Sequence, residues 1–132
     1  MLPRRVLIVE DNPDNCQLLA LIFNNTAYEV HEARTGADGL ALILNTSFDL
    51  GLFDIQLPDA NGLTLARRLH KQNPEAKIVV LSALDDTHLI EQSAELGASA
   101  YVVKPFDLPA LLQFIREVET HPPEKRIKII KS

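Results

Sequence analysis

The chain has 132 residues, with 18 Asp and Glu against 13 Lys and Arg, for a formal net charge of −5. That length fits one domain with a core of its own, and 46% hydrophobic residues keep the sequence far from the low-hydrophobicity, high-charge composition of disordered chains. The acidic balance and 5% aromatic content argue against direct nucleic-acid binding, the single Cys16 excludes an intramolecular disulfide, and no run approaches the ~18 apolar residues of a membrane span. A soluble, cytoplasmic protein with no membrane partner is expected.

The first apolar run, residues 6–9, predicts a strand that ends in Glu10-Asp11. Leu18, Leu19, Ile22 and Phe23 then recur at helical spacing, with Asp14 or Asn15 available as a cap. A second strand is predicted at 28–30, followed by a helix that starts at Thr35 and carries the apolar row Ala37, Leu40, Ala41 and Leu44. The third strand, 50–53, ends in Asp54; Asn61-Gly62 marks the turn into a helix with Leu65, Ala66 and Leu69. The fourth strand, 78–81, ends in Ser82, and its helix starts at Asp85 or Asp86 and carries Leu89, Ile90 and Ala94. The fifth, 100–103, ends in Lys104-Pro105, and from Asp107 the row Leu108, Leu111, Leu112, Ile115 and Val118 is the clearest helical stripe in the chain.

Five strand-then-helix repeats with near-continuous apolar strands imply a parallel sheet covered on both faces. The predicted class is α/β: a doubly wound (βα)5 three-layer sandwich of flavodoxin-like type, strand order 2-1-3-4-5, with right-handed crossovers. Residues 1–120 form that domain. His121-Pro122-Pro123 stops the last helix, and 121–132, with Lys125, Arg126, Lys128 and Lys131 among three isoleucines, reads as a surface tail or the start of a linker.

Ligands of such sheets bind outside the carboxyl ends of the strands. Glu10, Asp11, Asp54, Ser82 and Lys104 all follow strands there, so three carboxylates, a hydroxyl and an ammonium converge. Crowded carboxylates with oxygen ligands suit Mg²⁺, with Mn²⁺ as an alternative. An aspartate can accept a phosphoryl group, and a metal, a lysine and a hydroxyl would offset the charge that builds on its oxygens. Each residue taken alone also has an ordinary role: an acidic pair at a helix start, a turn aspartate, a small strand-end serine, a solvated lysine. The coincidence of all of them at one sheet edge is what the ordinary roles leave unexplained.

The segments 6–11, 48–59, 61–62, 80–83, 97–98 and 101–106, in this order and spacing, resemble the receiver domain of two-component response regulators (CheY-like) over residues 5–118. The resemblance implies that Asp54 accepts a phosphoryl group from the phosphohistidine of a sensor histidine kinase or phosphotransfer protein. It implies Mg²⁺ held by Asp11, Asp54 and the main-chain carbonyl of Gln56, with Glu10 acting through water. Ser82 and Tyr101 resemble the switch pair, the ring turning inward behind the hydroxyl; Lys104 would contact the phosphoryl group, and the bond to Pro105 is expected to be cis. Output, and possible homodimerisation, would use the face made by the fourth helix, fifth strand and fifth helix, and an output domain would follow Ser132.

Two residues depart from the family's usual pattern: Glu10 stands where an aspartate is common, and Gly51 where a branched apolar residue is usual. Gln56 and Leu84 occupy positions that tune the attack of water, and a bulky Leu84 is expected to slow loss of the phosphoryl group. Three other readings compete with this one. A haloacid-dehalogenase-type phosphatase would need an acid where Gln56 stands. A flavodoxin-like cofactor domain would need a phosphate-binding loop where 10–13 carries two acids. A receiver-like module that works by contact alone, without phosphorylation, is the main alternative. The expected activity is that of a phosphoacceptor catalysing only its own phosphotransfer and dephosphorylation. His31, His70, His88 and His121 are expected on the surface, without metal spacing.

Overall fold

Strands that are largely apolar must be covered on both faces, and here the helices between them supply the cover. A computed structural model describes residues 3–120 and 126–132. The elements alternate as β1 (Arg4–Val9), α1 (Pro13–Leu21), β2 (Tyr28–Ala33), α2 (Gly36–Asn45), β3 (Leu50–Asp54), α3 (Gly62–Gln72), β4 (Lys77–Ser82), α4 (Thr87–Leu96), β5 (Ala100–Val103) and α5 (Leu108–Thr120). A further strand, β6 (Lys128–Ile130), follows. The sheet is parallel with order β2-β1-β3-β4-β5-β6. The expected order 2-1-3-4-5 is present, extended at one edge by a strand that the tail supplies. The expected helix stop at His121, Pro122 and Pro123 lies outside the described residues.

Each face of the sheet has its own core. Leu7, Val9, Phe53, Ile78, Val80 and Tyr101 point toward α2, α3 and α4. Val6, Ile8, Leu50, Leu52, Val79, Leu81 and Val102 point toward α1 and α5, which contribute Cys16, Leu19, Leu111, Phe114 and Ile115. Each fully buried Leu, Ile or Phe contributes roughly 1.5–3 kcal/mol relative to exposure. Gly51 lies under this packing: a Cβ there would strike the Phe53 ring and meet Leu69. The ring two residues along the same strand face fills the space that a branched side chain would otherwise take.

The helix starts follow side-chain chemistry. Thr35, Asn61 and Asp86 accept from Asp38, Leu63 and Leu89 amides, and Asp107 from the Ala110 amide. The first helix is capped by Asn12, not Asp14 or Asn15; its Oδ1 accepts from both of their amides at 2.9 and 3.1 Å. Pro13 explains the choice, because it lacks an N–H and is pre-set for the first helical position, which leaves the preceding residue as the cap.

Three apolar rows correct the sequence expectation. In α2 the row Ala37, Leu40, Ala41 and Leu44 faces solvent, Leu44 at 51% exposure, while Gly36, Gly39 and Ile43 face the sheet. The glycines let the helix sit close, since a Cβ at Gly39 would press on Leu65 and Val9. In α4, Ala94 is exposed and the buried row runs through Ser93 and Leu96 instead, with the Ser93 hydroxyl donating to the Leu89 carbonyl at 2.8 Å. In α1, Leu18 is exposed and only Leu19 of the adjacent pair is buried.

The crossovers divide by hand. β1-α1-β2 steps toward one edge over the α1/α5 face, whereas β3-α3-β4 and β4-α4-β5 step toward the other edge over the opposite face. Reversing both direction and face preserves the hand, so these are all of the right-handed kind that parallel sheets require. The step β5-α5-β6 keeps the direction of β3-α3-β4 but uses the α1/α5 face. Its hand is therefore opposite.

Candidate functional site

The strand ends bring the polar residues together. Glu10, Asp54 and Ser82 are buried, with Asp54 at 1% exposure, and Lys104 is half-buried. Lys104 Nζ lies 2.9 Å from Asp54 Oδ2 and 3.1 and 2.9 Å from the two oxygens of Glu10, hydrogen-bonded to Oε1. The peptide bond between Lys104 and Pro105 is cis, as expected. Asp54 Oδ1 accepts from the Gln56 amide at 3.0 Å, so the loop after β3 curls back over its own carboxylate. Gly62 closes that loop, donating to the Ile55 carbonyl at 2.9 Å, and a Cβ there would fall onto the carbonyl oxygen of Asp54.

Charge in this cleft is unbalanced. Burial raises the pKa of Glu10, and the nearby Asp54 carboxylate adds to the effect against the hydrogen bond from Lys104. Burial pulls Lys104 the other way, yet its hydrogen bonds to Asp54 and Glu10 outweigh that and hold it above the ordinary lysine value. One ammonium thus serves two buried carboxylates, with Asp11 exposed beside them. Glu10, Asp11 and Asp54 each offer an oxygen within 4.8 Å of the others, and no other such cluster of His, Cys, Asp or Glu occurs among the described residues. An oxygen-only set with excess negative charge fits a hard divalent cation such as Mg²⁺ and supplies none of the thiolate or imidazole ligands that softer metals favour.

Beyond the carboxylates, Ser82 Oγ accepts from the Leu84 amide at 3.0 Å and Tyr101 Oη donates to the Leu84 carbonyl at 2.6 Å. The Tyr101 ring is already fully buried, and burial raises its phenol's pKa. Leu84 itself is 46% exposed. One residue that sequence reasoning missed is Asp59, whose two oxygens accept from the Gly36 and Ala37 amides at 2.7 and 3.0 Å. Those bonds hold its carboxyl below the usual aspartate range and fasten the β3–α3 loop to the start of α2. The signal for it was slight: an aspartate after Pro58, far in sequence from the helix it caps.

The remaining polar groups lie apart. His31 is half-buried, edge-on to Phe48 and 3.0 Å from Glu29, and His70 is half-buried between α3 and α4; His88 is exposed, and His121 is outside the described residues. Burial, reinforced by the hydrogen bond of its thiol to Glu32, pushes the pKa of Cys16 up to about 12. No helix among the described residues is long and apolar enough to cross a membrane.

Comparison with known proteins places this geometry. The model of the response regulator receiver domain family matches residues 6–116. The response regulator ArlR of Staphylococcus saprophyticus is 35% identical over 127 residues, covering 96% of this chain and 57% of that protein. ArlR of Staphylococcus aureus is 35% identical over 123 residues, 93% and 56% of the two chains. The chain thus spans little more than half the length of these relatives. Among solved structures, a CheY-like receiver domain protein from Methanospirillum hungatei superposes with a TM-score of 0.79 at 36% identity, covering 86% and 91% of the two chains. The CheY of a CheX-CheY-BeF3-Mg complex from Borrelia burgdorferi does so with 0.80 at 26% identity, covering 91% and 92%. The chain belongs to the response regulator receiver domain family, the phosphorylation-controlled component of two-component signalling.

Proposed function

We propose that Asp54 is the phosphoacceptor of this domain and that a sensor histidine kinase or phosphotransfer protein is the donor. The observation that carries this reading is the buried Asp54 carboxylate held between Lys104 Nζ and the Gln56 amide, with Glu10 and Asp11 beside it. In the transfer, an Asp54 oxygen forms a bond to phosphorus as the bond from phosphorus to the donor's histidine nitrogen breaks, and the nitrogen keeps the electron pair. Mg²⁺ held by Asp11, Asp54 and the Gln56 carbonyl, with Glu10 acting through water, would neutralise charge on the phosphoryl oxygens.

This chain's residues do the rest. Lys104 moves its hydrogen bonds from the carboxylates to a phosphoryl oxygen, and the Ser82 hydroxyl turns from the Leu84 amide toward another. Releasing that amide frees the 82–85 segment, whose Leu84 carbonyl anchors Tyr101. That movement reaches the surface between α4, β5 and α5, which serves for output or homodimerisation. Leu84 flanks the phosphoryl site and slows attack by water. The chain turns over no external substrate beyond its own phosphotransfer and dephosphorylation.

The test is incubation with acetyl phosphate and Mg²⁺ followed by intact mass. One phosphoryl adduct is expected, absent in Asp54→Ala and absent when EDTA replaces Mg²⁺. An unmodified mass under all conditions would instead favour the module that works by contact alone.

A further inference from the structure

The edge of β5 is occupied by the chain itself. β6 pairs Lys128, Ile129 and Ile130 with Ala100, Tyr101 and Val102, and the Lys128 amide donates to the Ser99 carbonyl at 3.0 Å. Ile130 is 4% exposed in the core on the α1/α5 face, and Ile127 packs on the opposite core, so the strand straddles the end of the sheet. Two ion pairs fasten it: Lys131 to Asp85 at 2.9 Å and Lys128 to Glu117 at 3.7 Å.

Three features mark this strand as added to the fold and not required by it. Its crossover has the opposite hand, which only about 2% of parallel connections show. It has three residues, against four to six in each of the others. It adds one buried residue, Ile130, to one core and the partly buried Ile127 to the other, and the remaining members of both cores come from the five-strand domain. An open strand edge recruits another strand through its unpaired backbone groups, and the tail is that recruit.

The strand also touches the elements that respond to Asp54. Asp85, which Lys131 grips, adjoins Leu84, and Leu84 is hydrogen-bonded to Ser82 on one side and Tyr101 on the other. Tyr101 is in turn the register partner of Ile129. A shift of residues 82–85 toward Asp54 therefore pulls on Lys131, just past the end of the strand, while disturbing the anchor of the strand's partner in the sheet.

We propose that residues 127–131 are a releasable strand, an intrachain ligand of the β5 edge, and that phosphorylation of Asp54 weakens its hold and uncovers the surface between α4 and α5. The coupling half of this proposal rests on Asp54 being the phosphoacceptor; the releasable strand does not.

Native-state hydrogen exchange on the full chain, read by mass spectrometry, tests both halves. In Ile130→Asp, amides in 127–131 should exchange at least about 100-fold faster while those of β1 and β3 keep their protection, because only a locally opening unit is lost. Loss of protection in β1 and β3 as well would show that β6 is integral and overturn the proposal. Lys131→Glu leaves both cores intact and should speed exchange in 127–131 about three- to tenfold, as expected for an exposed ion pair turned repulsive; no change there would overturn the role of Asp85. With acetyl phosphate and Mg²⁺, an adduct by intact mass should accompany faster exchange in 127–131, and neither should occur in Asp54→Ala. An adduct with unchanged exchange overturns the coupling. Absence of any adduct overturns the phosphoacceptor reading and the coupling with it, while Ile130→Asp still decides whether the strand is releasable.

Discussion

The two ends of the sheet treat charge in opposite ways. At the amino end, polar groups are exposed and paired locally: the Arg5 amide donates to Asp49 Oδ2 at 2.8 Å, and the Arg5 side chain meets Glu29 at 2.8 Å. At the carboxyl end, Glu10 and Asp54 are buried with one ammonium between them. Exposed pairs contribute little because water competes, whereas buried carboxylates carry a desolvation cost that one lysine only partly offsets. The difference marks the carboxyl end, where buried negative charge is left in excess, as the end suited to a ligand. The excess negative charge at the carboxyl end fits a hard cation; at the amino end Arg5 and Glu29 already pair.

Substitutions at the two ends should separate accordingly. The largest effect is expected for Lys104→Met, which leaves two buried carboxylates without their cation and should cost about 2–3 kcal/mol in urea unfolding. Saturating Mg²⁺ should recover part of that loss, since a ligand that binds only the folded state stabilises it. A loss that Mg²⁺ leaves untouched would mean that the cation does not share the carboxylates with Lys104.

Asp59→Asn comes next. A carboxylate held below its ordinary pKa contributes stability that is present above the unfolded value, near 3.8, and lost as pH falls through the lower folded value. The variant should therefore melt lower than the parent at neutral pH and converge with it only as pH falls below 3.8 and through the lower folded value. A difference that persists in acid would assign the effect to something other than the charge. The smallest effect is expected for Asp49→Ala at the amino end, about 0.5 kcal/mol with an unchanged yield of phosphoryl adduct. A change in that yield would break the separation between the two ends.

What could be read in advance followed from physics with a strong local signature. Buried parallel strands are apolar runs, and polar residues directly after them must lie at one sheet edge, so the gathering of Glu10, Asp54, Ser82 and Lys104 is legible in the sequence alone. The inward face of α2 could not, because Gly36 and Gly39 carry no hydrophobic signal while exposed Leu40 and Leu44 carry a strong one. The strand at 128–130 was hidden for another reason: three residues are too few to show alternation, and its pairing depends on an edge formed elsewhere in the chain. Asp59 caps a helix more than 20 residues upstream, a contact that only the folded loop creates.

The buried thiol of Cys16 has a practical consequence. Cys16 is fully buried, and that burial pushes its pKa up to about 12 from an ordinary 9.0, so little thiolate, the form that reacts, is present at neutral pH. Maleimides and mild oxidants therefore meet an almost silent background in the native chain. A single cysteine introduced at an exposed position such as Ser132 would carry a dye alone, turning the end of the chain into an optical readout without first removing the native residue.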